Sequence, residues 1–210
     1  MKKHYHLFGI VAPSLYIATV ILGGFLQRDY SHTDQAISEL TTSGAPYALQ
    51  LNVLFTISGI MATIFAWSAY FYVSKFNSRL LKLAMGTLIT VTLVSLVWPL
   101  FPMDARGAEQ TAHGIIHLAL AGIVSPLTIL CPALTAVGFM QIEGFKGYVI
   151  ASFIFSSIIL ITGILAVHST QIGAANLGIY TRLTIGTYQL WMAYSAAVFY
   201  CFPHNTTGKV

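Results

Sequence analysis

Two histidines four residues apart open an apolar stretch in the string Thr111-Ala112-His113-Gly114-Ile115-Ile116-His117. On a helix that spacing stacks His113 and His117 on one face, where their ring nitrogens can converge on one metal ion. A third ligand has to come from another segment, and His168, Asp104 and Asp34 are the candidates. Zinc suits histidine and carboxylate donors with an open fourth position. There it brings the pKa of a bound water close to neutral and makes it a nucleophile. In this reading His113, His117 and either His168 or Asp104 hold the zinc, and the remaining carboxylate, Asp104 or Glu39, is the general base. Ser38 and Arg182 hold the substrate or the developing oxyanion, with Asp34 and Asn176 on the substrate side. The same two imidazoles also suit a metal-free polar or proton-relay site, or a structural pair at a helix end. Haem fits poorly, because two histidines on one helix cannot both bind one iron axially. His6 and His204 are the only histidines near spans on the opposite side, so no second pair serves transfer across a membrane.

The elements that position these residues follow from composition. Of the 210 residues, 56% are hydrophobic and only 8% charged, and the mean hydropathy is +0.76. A soluble domain carries roughly 25% charged residues, so lipid is the expected solvent for most of this chain. The formal charge of +4 does not point to nucleic acid, because the basic residues form no stripe interleaved with aromatics. Six stretches have the length a bilayer requires: Leu7–Leu26, Leu51–Val73, Leu83–Phe101, His113–Phe139, Tyr148–Val167 and Leu183–Phe202. The first is too long for a signal peptide and lacks its cleavage site. The fourth contains Pro126 and Pro132, which predict a kink. Cys131 and Cys201 fall inside apolar runs and read as small hydrophobes. We therefore expect an all-α bundle of six transmembrane helices forming one domain, residues 1–210.

Orientation comes from the flanking basic residues. Lys2, Lys3, Lys75, Arg79, Lys82, Lys146 and Lys209 share one side, and Arg28, Arg106 and Arg182 share the other. The first side is expected to be cytoplasmic and to hold both termini, in the plasma (inner) membrane. The Asn205-Thr206-Thr207 sequon then faces the cytoplasm and carries no weight. The outer side collects five of the six acidic residues and four of the seven histidines. Its first segment, Arg28–Tyr47, has an N-cap pattern at Ser31-His32-Thr33-Asp34 and a stop at Gly44 and Pro46. A short helix from about Thr33 to Thr41 is expected there, either a lid on the bundle or a solvated surface helix. Arg182 at the start of the sixth stretch would snorkel to the interface, clamp a phosphate or carboxylate, or pair with Asp104 or Glu39.

Ser38-Glu39-Leu40 with Gly44-Ala45-Pro46, Phe101-Pro102-Met103-Asp104, His113-x-x-x-His117 and Gly178-x-x-x-Arg182 together resemble domain-of-unknown-function family 998. The resemblance spans nearly the whole chain and implies a multi-span helical membrane protein without an assigned reaction. A more distant similarity is to the membrane hydrolases typified by alkaline ceramidases and adiponectin receptors. It implies that Ser38, Asp104, His113, His117 and His168 fill the roles of their zinc-site Ser, Asp and three His. The chain departs from that pattern with six spans rather than seven and with its His pair opening the fourth helix. The residues suit two functions, beside a structural or regulatory partner with no ligand of its own. One is a metal-dependent hydrolase acting on a lipid amide or ester at the outer face. The other is a non-catalytic protein that binds or transports a small or lipid ligand through the outer vestibule.

Overall fold

The computed structural model describes residues 3–173 and 175–202. Lys2, His204, Lys209 and the Asn205 sequon lie outside them. Six α-helices form: α1 (Phe8–Leu26), α2 (Ala48–Val73), α3 (Arg79–Val97), α4 (Ala112–Phe139), α5 (Lys146–Ile172) and α6 (Leu177–Cys201). They coincide with the six apolar stretches, several running a turn or more further. Ser78 starts α3 by accepting the Leu81 N–H at 3.3 Å, and Thr111 starts α4 by accepting that of Gly114 at 3.2 Å. α4 is one continuous helix through Pro126 and Pro132.

Among the described residues, the helices α1 to α5 are long and apolar enough to cross a membrane. α6 is equally long but less apolar, since it carries Thr181, Arg182, Thr184, Thr187 and Gln189. Thr181, Thr184 and Gln189 line the cavity described below, and Arg182 reaches the segment between α1 and α2.

The helices pack in chain order, each against the next, and α6 closes the ring on α1. Short connections make neighbours antiparallel. One end of the ring is filled with aromatic side chains. Phe139 stacks on Phe145 with ring centroids 4.3 Å apart, and Tyr72 stacks on Phe199 at 4.6 Å. Phe65, Leu81, Met85 and Trp191 complete this buried core. Most buried polar groups here find partners, as burial demands: Tyr148 Oη lies 2.8 Å from Ser195 Oγ, and His6 Nδ1 lies 3.0 Å from Ser68 Oγ.

The opposite end is closed by residues 27–47, which form a cap. Within the expected Thr33–Thr41 helix only Ile37–Thr41 is helical, as a 3-10 turn. Its apolar side chains Ile37 and Leu40 are buried against Val20 of α1 and Leu51 of α2. That burial makes the segment a lid rather than a solvated helix. Gln27 ties the cap's ends together, its Nε2 donating to the carbonyls of Leu40 at 2.8 Å and Pro46 at 3.0 Å.

Candidate functional site: a capped cavity in the helical ring

Between the aromatic core and the cap lies a partly open cavity of about 820 Å³ lined by all six helices and the cap. Small residues leave the space: Ala62 on α2, Ala121 on α4, Gly163 and Ala166 on α5. Gly163 shows how open it is, because a Cβ built there meets nothing nearer than Thr184 Cγ2 at 3.8 Å. The walls are mainly apolar. Ser38 and Thr41 of the cap, His117, His168, Gln171 and several hydroxyls add polar points. Among the described residues no Asp, Glu, Lys or Arg lines it. The volume sits within the roughly 300–1,000 Å³ of small-molecule sites, which are likewise mostly apolar with few polar groups.

The charged residues instead fasten the cap. Glu39 is 7% exposed and accepts two hydrogen bonds from Arg106, Nε to Oε2 at 2.7 Å and Nη2 to Oε1 at 2.8 Å. It also accepts the Ala36 N–H at 2.7 Å. This fork-to-fork pairing raises the guanidinium pKa of Arg106, the Glu39 hydrogen bond being the main cause. Arg106 Nη2 further donates to the Asp34 carbonyl at 2.6 Å. Arg182 pairs with neither Asp104 nor Glu39. Its Nη1 donates to the Gln35 carbonyl at 2.8 Å, its Nη2 to Tyr30 Oη at 2.5 Å and its Nε to His32 Nδ1 at 3.1 Å. Asp34 accepts the Asn176 N–H at 3.2 Å and the Ser31 and Thr33 hydroxyls at 2.8 and 2.9 Å. Those hydrogen bonds, Ser31 first, hold its carboxyl below the usual carboxylate range.

Gly178 lets the cap sit this low. A Cβ there would lie 2.5 Å from the His32 carbonyl oxygen and 2.6 Å from that of Gln35. Both are backbone atoms that cannot rotate away. The Gly178-x-x-x-Arg182 pattern is therefore a docking joint: the glycine admits the cap backbone, and the arginine one turn later grips its carbonyl and side chains.

The expected metal site is not gathered. His117 is 4% exposed, with its Nδ1 2.8 Å from the Phe101 carbonyl oxygen and its ring edge-on to Trp98 at 4.9 Å. His113 is exposed, with its ring edge-on to Phe101 at 5.9 Å. Asp104 accepts the Thr111 N–H at 3.0 Å and hydroxyl at 2.7 Å, and Thr111 keeps its carboxyl below the usual range. Its side chain rests on Gly114, where a Cβ would clash with it. Among the described residues no three His, Cys, Asp or Glu side chains are grouped to hold a metal ion. Of the nine residues singled out in the sequence, Ser38, His117 and His168 line the cavity. Asp34, Glu39, Asn176 and Arg182 fasten the cap, while Asp104 and His113 surround the start of α4.

Sequence reasoning missed Thr181, Thr184, Tyr188, Gln189 and Met192, which present α6 to the cavity. The signal was available: polar residues spaced by three, four and one along an otherwise apolar helix mark a face that avoids lipid.

Fold and site together define a helical integral membrane protein with a capped, chiefly apolar cavity. The chain belongs to the family described as "Protein of unknown function (DUF998)", whose profile matches residues 10–198. No curated protein and no solved structure matches the chain.

Proposed function

We propose that this protein binds a lipid-like molecule in the capped cavity, as a carrier or receptor rather than a hydrolase. The cavity carries the reading. It is large and chiefly apolar, and it lies among helices that themselves sit in lipid. An empty apolar space of this size forfeits dispersion contacts on every wall, and a ligand restores them. Exposed residues that also line it lie on α4 (Ser125, Pro126) and α5 (Leu160, Ile164, Val167). Entry sideways from the bilayer between these two helices is consistent with that placement.

In this reading α6 is the sixth span, its polar face turned inward, and the cap faces outward with the termini in the cytoplasm. The distribution of Lys and Arg supports that orientation. Hydrolysis of a lipid amide or ester would need a carboxylate beside the bound substrate. Glu39 and Asp104 are both engaged elsewhere, and neither lines the cavity. The histidines suggested for zinc form no common donor set, so no step is routed through that metal.

The test is extraction of the purified protein, washed in mild detergent, followed by mass spectrometry. Wild type should retain about one apolar molecule per chain, and Gly163→Leu, which fills the space, should retain little. Equal retention by both would overturn the reading.

A further inference from the structure

Tyr188 projects from the middle of α6 and lines the cavity beside Ile159 and Met192. Its ring stacks on Trp191 with centroids 5.8 Å apart and is 5% exposed. Its hydroxyl is the only buried side-chain nitrogen or oxygen, among the described residues, that lacks a hydrogen-bond partner. The contrast with the rest of the bundle is sharp. Tyr148 meets Ser195, Trp191 Nε1 donates to Ser152 Oγ at 3.2 Å, and Thr184 donates to Thr162 Oγ1 at 2.8 Å. A buried hydroxyl left unsatisfied is costly, and phenylalanine would fill the same volume without that cost. The side chain borders the cavity, so a slight shift of the ring lets the buried hydroxyl take its partner from a molecule bound there.

We infer that the bound molecule is an uncharged lipid whose oxygen function, a hydroxyl or a carbonyl, hydrogen-bonds Tyr188 Oη deep in the cavity. Among the described residues no Asp, Glu, Lys or Arg lines the cavity, and this sets the first half of the specificity. A carboxylate, phosphate or ammonium brought inside would lose its hydration without gaining a counter-charge. Tyr188 sets the second half, because a phenol both donates and accepts and so takes either a hydroxyl or a carbonyl. An alkane of the same length would leave the phenol unpaired, which is how a polar site rejects an apolar analogue. Gln189, the next residue and also in the lining, adds a side-chain amide to the cavity wall.

This inference rests on the cavity being a ligand site, and the two can fail separately. The experiment is thermal unfolding of the full-length protein in detergent with 1-octadecanol, octadecane or stearate added. Ligand bound to the folded state alone raises the midpoint by mass action. Wild type should be stabilised most by the alcohol, with an affinity about three- to tenfold above that for the alkane, and should show no shift with stearate. Tyr188→Phe should lose the preference for alcohol over alkane while still binding both. Its own midpoint without ligand should be unchanged or higher, which separates lost recognition from lost folding. If alcohol and alkane shift wild type equally and Gly163→Leu abolishes both shifts, the cavity binds lipid but the Tyr188 assignment falls. A preference retained in Tyr188→Phe, or a larger shift with stearate, also overturns it. If no probe shifts wild type, the ligand-binding reading itself fails.

Discussion

Arg182 Nη1 donates to the Gln35 carbonyl at 2.8 Å across 147 positions of sequence, and this contact joins the last helix of the ring to the cap over its cavity. The guanidinium is shared with Tyr30 and His32. Charged hydrogen bonds contribute about 1.5–3 kcal/mol each at best, so Arg182→Ala should raise the cap's opening equilibrium by about 2 kcal/mol, roughly 30-fold. Gly178→Ala should do at least as much, by pushing on backbone that cannot yield. Hydrogen exchange of amides 29–36 measures both. Faster exchange confined to the cap, with unchanged helix content, is the expected result.

Arg106 and Glu39 form a second fastening, and the two partners are unequal. The Glu39 side chain is 5% exposed and that of Arg106 54%. Removing the arginine leaves a buried carboxylate with weaker partners, at a cost of about 1–2 kcal/mol once solvent screening of the exposed partner is allowed for. Arg106→Lys should recover little of it, since a lysine cannot make both contacts at once. A lower thermal midpoint for Arg106→Ala, about matched by Arg106→Lys, is the outcome to look for.

The cap should loosen in mild acid. His32 is held below its ordinary value of 6.5, chiefly by desolvation and then by Arg182. A base with a lowered folded-state pKa contributes stability that is complete above its unfolded pKa and is lost as pH falls below it. The loss therefore begins near pH 6.5. Asp34, whose carboxyl is lowered from 3.8, keeps its contacts until the pH is far lower. Cap exchange corrected for its intrinsic rate should rise between pH 7.5 and 5.5 in wild type, and His32→Asn should flatten that rise.

The two histidines of the HxxxH pair should behave differently. His117→Ala removes a buried ring from Trp98 and leaves the Phe101 carbonyl without its partner, costing about 2–3 kcal/mol. His113→Ala at an exposed position should stay within about 0.5 kcal/mol of wild type. Thermal unfolding separates them. Equal loss of a bound metal and of activity in both variants would instead favour the zinc reading.

The helices were legible because each apolar run is long enough to cross a bilayer, and α6 was legible from its length despite its polar face. The stop at Gly44 was readable too, and this residue adopts φ +81. Pairing was not legible. Nothing local says that Glu39 meets Arg106 rather than Arg182, because that choice is made by helices packing far apart in sequence. The HxxxH spacing placed both rings on one helical face, yet the Phe101 carbonyl took His117 and left His113 outside. The cavity was hidden for another reason. It is made by what Ala62, Ala121 and Gly163 lack, and small residues in an apolar helix serve equally well for close packing, as Gly59 does against Leu96.

Occupancy of the cavity is the central claim, and Trp98 in its lining reports on it directly. The measurement is quenching of tryptophan fluorescence by 9,10-dibromooctadecan-1-ol, in Trp67→Phe protein to remove the lipid-facing indole. Saturable quenching at one molecule per chain, abolished by Gly163→Leu, is the expected result. Quenching that rises without saturation, or that is identical in the filled variant, would show that the probe sits in the surrounding lipid and would contradict the account.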